Sequence, residues 1–101
     1  MNIYALSSGR GPSGIAIIRF SGKDTSNISK IITRRKKLNS KEINLCKFYN
    51  PRDGNLIDEG LLLWFPGPNS FTGDDLVEFH IHGSNAVITS FLKILSEQKD
   101  C

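Results

Sequence analysis

The sequence predicts an α+β fold, a mixed β-sheet with two main helices, and three observations carry that expectation. Five short runs are apolar or alternating over strand length and are punctuated by Gly, Pro and Asn. Two other segments repeat apolar residues at helical spacing. In chain order the elements read β-β-α-β-β-β-α, and residues 1–101 hold no internal repeat or low-complexity stretch, so a single small domain is expected.

Each element has a local reason. Ile3 to Leu6 is a short strand, stopped by the Gly-, Pro- and Ser-rich run from Ser7 to Gly14. Gly14-Ile15-Ala16-Ile17-Ile18-Arg19-Phe20 is apolar and β-branched, which suits a central strand. After Ser21-Gly22 a helix begins near Asp24 or Thr25, either of which can cap free N–H groups, and Ile28, Ile31 and Ile32 form its apolar stripe. Ile43 to Tyr49 and Leu56 to Phe65 are partner strands around the turn Pro51-Arg52-Asp53-Gly54, with a bulge expected at Glu59-Gly60. The run Leu61 to Phe65 is apolar at every position and is expected to be buried on both faces. Asp75 to His82 is the fifth strand. Gly83-Ser84-Asn85 opens a last helix whose Ile88, Phe91, Leu92 and Leu95 fall at i, i+3, i+4 and i+7.

Composition limits the functional classes. The net charge of +3 is too mild to argue for nucleic acid by itself, but six of the thirteen basic residues (Lys30, Arg34, Arg35, Lys36, Lys37, Lys41) fall within residues 30–41. That window reads either as a phosphate-facing patch or as cations placed against a helix C-terminus. Cys46 and Cys101 cannot build a disulfide framework or a zinc spacing. The N-terminal residues lack a basic n-region and a continuous apolar h-region, and no apolar run approaches the roughly 20 residues that cross a bilayer, so a cytoplasmic protein without a membrane partner is expected.

The motifs narrow this further. Gly9-Arg10-Gly11-Pro12-Ser13-Gly14 satisfies G-x-G-x-x-G, but a strand follows it where a dinucleotide site needs a helix N-terminus. No G-x-x-x-x-G-K-S/T sequence occurs, so these residues hold no phosphate-binding loop of the GTPase type. His80-Ile81-His82 puts two imidazoles on one strand face with Glu78 beside them. No second His/Cys cluster completes a metal site, and the pair reads as histidines hydrogen-bonded at a sheet edge, with no metal. Glu78 lies between Val77 and Phe79, and Arg19 between Ile18 and Phe20, so alternation sends both charges away from the core. They can form a salt bridge or face a ligand: a carboxylate accepts two parallel N–H bonds from a planar ring such as a pterin, and a guanidinium offers the complementary fork.

The longest motif is Leu63-Trp64-Phe65-Pro66-Gly67-Pro68-Asn69-Ser70-Phe71-Thr72-Gly73, followed by Asp74-Asp75-Leu76-Val77-Glu78 and His82-Gly83. Together with Gly9-Arg10-Gly11, with Gly14 to Gly22, and with Asp58-Glu59-Gly60, it resembles the N-terminal folate-binding domain of the tRNA modification GTPase MnmE (TrmE) family over nearly the whole chain. The resemblance implies an α+β domain similar to the folate-binding part of aminomethyltransferases. It also implies a homodimer and a bound 5-formyl- or 5,10-methylene-tetrahydrofolate, the one-carbon source for modifying a tRNA wobble uridine together with the flavoprotein MnmG. The family's folate-contacting arginine and glutamate fall on Arg19 and Glu78. Family members continue with a folate-touching lysine, a helical domain and a GTPase domain, so the resemblance implies a C-terminally truncated domain with no GTP site and no catalytic residue of its own. Two alternatives accompany it: an interaction fragment pairing with a full-length or split MnmE-like chain, or a non-functional remnant of an interrupted gene. Direct tRNA contact is left open.

Overall fold

A computed structural model describes residues 1–7, 14–68 and 73–101 of the chain. The glycine-rich run at 8–13 and residues 69–72 of the proline-glycine loop lie outside the described residues. The elements are β1 (Ile3–Leu6), β2 (Ile15–Ser21), α1 (Thr25–Thr33), β3 (Ile43–Tyr49), β4 (Leu56–Phe65), β5 (Leu76–His82) and α2 (Asn85–Ser96), in the order expected. The class is α+β. The strands form one sheet in the order β1-β2-β5-β4-β3, which places β5 at the centre.

The sheet is antiparallel in all four strand pairings rather than mixed; its parallel component is one isolated bridge between Ser40 and Trp64. The reason is the crossover. After β2 the chain passes through α1 and the basic loop to the far edge and enters β3 antiparallel to β2, so no neighbouring strands share a direction.

Both helices cover one face of the sheet. Ala16, Ile18 and Phe20 of β2, Val77, Phe79 and Ile81 of β5, Leu62 of β4 and Cys46 and Phe48 of β3 meet Ile28 and Ile32 of α1 and Ile88, Phe91, Ile94 and Leu95 of α2. Phe79 is the centre of this layer. Its ring lies 4.8 Å from that of Phe91, 5.7 Å from Phe48 and 6.3 Å from Phe20, tying two other strands and a helix to β5. Burying a side chain of this size contributes about 1.5–3 kcal/mol, and each well-placed aromatic pair adds about 0.5–1.5 kcal/mol.

Several local expectations are corrected. Ile31 is 54% exposed, because α1 meets the sheet along Thr25, Ile28, Ser29, Ile32 and Thr33. The hydroxyls of Thr25 and Thr33 tolerate that burial by donating to the Gly22 and Ser29 carbonyls at 2.7 and 2.8 Å. Asp24 holds the N-cap position of α1 but makes no side-chain cap bond; its carboxylate accepts from Asn2 Nδ2 instead, while Asn2 Oδ1 accepts from the Asp24 N–H. The bulge is not at Glu59-Gly60, which keep unbroken register with Lys47 and Cys46. The shift falls between Phe48 and Tyr49, opposite Ile57. Gly60 serves another purpose: a Cβ there would overlap the His80 carbonyl oxygen, so glycine allows β4 to approach β5. Of the run Leu61 to Phe65, Leu62 is fully buried and the others are half-buried; Leu61 and Leu63 stand on the second face of the sheet, which carries no helix among the described residues. Within Gly83-Ser84-Asn85, where the last helix was expected to open, Ser84 is the N-cap of α2, accepting from the Val87 N–H at 3.2 Å.

Candidate functional site

The uncovered face of the sheet is where the charged residues of β2 and β5 converge. Arg19 follows Ile18 and precedes Phe20, both wholly buried, so its side chain has only the open face to occupy. Glu78, between buried Val77 and Phe79, is fixed in the same way, and the antiparallel register sets Arg19 directly opposite Glu78. Arg19 Nε donates to Glu78 Oε2 at 3.0 Å. The pair is asymmetric: the Arg19 side chain is 55% exposed and that of Glu78 only 16%. Among the described residues neither terminal nitrogen of Arg19 has a partner, so the guanidinium fork remains open toward solvent.

Glu78 is also held from its own strand. Its Oε1 lies 3.1 Å from His80 Nε2, two residues along the same face. Further along, Asp58 grips His82 at two points: Oδ1 lies 2.7 Å from the ring Nδ1, and Oδ2 accepts the backbone N–H at 2.8 Å. The structure therefore brings together Arg19, Glu78, His80 and His82 on one face, as alternation required. It corrects one expectation: these histidines sit on the central strand, not at a sheet edge. Each is occupied by a carboxylate, and among the described residues no group of three or more metal-type side chains gathers. Asp58 is the residue that sequence reasoning missed. Its signals were its place in the Asp58-Glu59-Gly60 motif and a carboxylate at an interior strand position, neither of which points to a partner 24 residues away.

A cavity of about 170 Å³ opens beside these groups, lined by Ile15, Gly60, Leu61, His80 and His82 among others. It reaches His80 but not Arg19 or Glu78, which lie on the open sheet surface. Around them the face is apolar: Ile3, Ile15, Ile43 and Leu45 are each more than half exposed. The loop between β4 and β5 is closed at its base by a bond from the Gly67 N–H to Asp75 Oδ1 at 2.8 Å. Gly67 has no space for a side chain, since a Cβ would come within 2.7 Å of the Gly73 carbonyl oxygen.

An antiparallel sheet backed by two helices on one face, with an exposed guanidinium paired to a largely buried carboxylate on the other, defines an α+β domain of the sheet-and-helix type. The chain belongs to the family described as "GTP-binding protein TrmE N-terminus", whose model matches residues 2–100. It is 50% identical over its full length to the "tRNA modification GTPase MnmE" of Pelagibacter ubique, and 45% identical over 97% of its length to the protein of that name from Zymomonas mobilis. It is also 47% identical, over 92% of its length, to the human "5-taurinomethyluridine-[tRNA] synthase subunit GTPB3, mitochondrial". The chain spans 23% of the two bacterial relatives and 19% of the human one. Among the described residues no helix is long and apolar enough to cross a membrane.

Proposed function

We propose that this domain binds the pterin ring of a reduced folate, of the 5-formyl- or 5,10-methylene-tetrahydrofolate type, on the open face of its sheet, with Arg19 and Glu78 as the contacting residues. The observation that carries this is the asymmetry of the pair. Glu78 is largely withdrawn from water yet still has unused acceptor capacity, and Arg19 spends one N–H on it while its terminal nitrogens have no partner among the described residues. The donor set fits the group. A pterin presents an amine and an adjacent ring N–H to a carboxylate, and a carbonyl oxygen to a guanidinium. Bound there, such a cofactor supplies a one-carbon unit. The context we propose is modification of a tRNA uridine, carried over from the names of the relatives, with the wobble position taken from the family resemblance.

The same face supports a second element of the reading, pairing with another chain. Exposed Ile3, Ile15, Ile43 and Leu45 flank the charged centre, and apolar side chains standing in water on a sheet face gain by association. We propose a homodimer, or pairing with another MnmE-like chain, through this face, with MnmG as a partner of the larger assembly. Sedimentation equilibrium tests the dimer: a monomer at all concentrations up to hundreds of micromolar rejects it. Isothermal calorimetry with 5-formyltetrahydrofolate tests the cofactor. A saturable heat is expected, and a flat titration of a sample with intact circular dichroism rejects the assignment.

A further inference from the structure

The basic window at residues 30–41 has no part in the folate reading, and in the fold it forms more than a helix end. Arg34 adopts a left-handed conformation (φ 56°), which stops α1 and turns the chain toward the edge strand β3. Two of the cations then become structural. The Arg34 guanidinium carbon lies over the Tyr49 ring, 4.1 Å from its centroid, and its Nη2 donates to the Gly54 carbonyl at 3.1 Å. Arg35 donates to the Leu45 carbonyl of β3. Between them is a cavity of about 350 Å³, walled by Arg34, Arg35, Lys47, Tyr49, Leu45 and Glu59 among others. Lys36, Lys37, Lys41 and Lys47 are exposed and, among the described residues, form no ion pair or side-chain hydrogen bond. Capping a helix C-terminus accounts for Lys30, Arg34 and Arg35. It does not account for these four lysines, which lie beyond the helix.

Cations beside a cavity with a guanidinium stacked on a phenol ring offer two kinds of contact at once. Charged groups neutralise phosphate, and a planar stack accepts the face of an unpaired base. We propose that this cavity and the two lysines that follow Arg35 in the chain bind an unpaired stretch of RNA, with Arg35 and Lys47 of the cavity wall and the adjoining Lys36 and Lys37 against the phosphates and the Arg34–Tyr49 pair against a base. The choice of RNA among polynucleotides rests on the tRNA context given under Proposed function. An anionic membrane is the less suitable partner, because Arg34, Arg35 and Lys47 line a concavity rather than a flat apolar surface. Glu59, opposite Lys47 in the β3–β4 register, is the acid on the wall and disfavours a phosphate directly over it.

The test is fluorescence anisotropy of a labelled tRNA anticodon stem-loop titrated with the purified chain at about 50 and 200 mM KCl, where neutralising phosphates makes affinity fall with salt. In Lys36→Glu/Lys37→Glu the affinity at low salt is expected to fall on the order of tenfold, with the salt slope reduced by about 1.4, the value for two phosphate contacts to a single strand. Reversing two charges elsewhere, in Lys93→Glu/Lys99→Glu, gives the same net charge and should leave the affinity within about twofold. Equal losses in both double variants, or no binding at the lower salt, overturn the proposal. So does tighter binding to a DNA strand of the same sequence, or binding confined to phosphatidylserine vesicles. Calorimetry with 5-formyltetrahydrofolate on the same Lys36→Glu/Lys37→Glu protein separates the two readings, since its folate heat should be unchanged while RNA binding is lost.

Discussion

Replacing Glu78 by glutamine separates a salt bridge that merely decorates the sheet from one that serves a ligand. Arg19 and Glu78 meet at 3.0 Å, but the arginine is 55% exposed, so water screens the attraction and the pair contributes at most about 1 kcal/mol to stability. Glutamine keeps the size of the side chain and an oxygen for Arg19 Nε, and its amide can still meet His80. Stability should therefore drop by less than about 1 kcal/mol, a shift of no more than about 4–8 °C in melting temperature for a domain of this length. Ligand binding should respond differently. A carboxylate accepts from both pterin donors, whereas an amide accepts from one and points its own N–H at the other, leaving a donor unsatisfied at a cost of about 1–3 kcal/mol. That corresponds to a rise in Kd of roughly 5- to 150-fold. Calorimetry with 5-formyltetrahydrofolate and thermal unfolding on the same samples give both numbers. A wild-type-like Kd in the variant refutes the role of Glu78, and a loss of stability beyond about 2 kcal/mol refutes its treatment as a screened surface pair.

Three other outcomes follow from the packing. Gly60→Ala forces a Cβ into the His80 carbonyl, so it should cost about 2 kcal/mol or more by urea unfolding and displace the His80 ring resonances in NMR. Gly14→Ala meets no neighbouring atom but must hold a φ of 84°, so it should cost about 1–2 kcal/mol and leave those resonances in place. Phe79→Ala empties the centre of the aromatic layer and should cost about 3–5 kcal/mol in the same assay, a large part of the total stability of a domain this small; a loss below about 1.5 kcal/mol would mean the layer collapses around the gap. Burial pushes the Cys46 thiol above its ordinary value of 9.0, against a smaller lowering by Arg35. A raised pKa in the folded state means that this contribution to stability is complete below about pH 9 and is lost as pH rises through the raised value, so wild-type stability should fall more steeply above about pH 9 than that of Cys46→Ala.

The elements were legible in the sequence because their signals are local. The alternation around Arg19 and around Glu78 settles which way each side chain points before any partner is known, since neighbouring residues on a strand take opposite faces. The same parity put His80 and His82 with Glu78. The helical repeat of α2 and its start at Gly83-Ser84-Asn85 were readable for the same reason. Where reading failed, a distant neighbour decided. Ile31 looks as apolar as Ile28 and Ile32, but the line along which a nine-residue helix touches a sheet depends on the sheet. Gly60 suggested a bulge because the approach of the His80 carbonyl is invisible in the strand that carries the glycine.

The sequence by itself determined the strands and helices, their burial parity and the family, because short-range periodicity and a long constrained motif do not depend on how the elements assemble. Only the tertiary structure decided that β5 sits between β2 and β4, and with it that Arg19 faces Glu78 at bonding distance and that Asp58 holds His82. Strand order and register are set by the packing of side chains far apart in the chain, so they emerge only when the whole core is assembled.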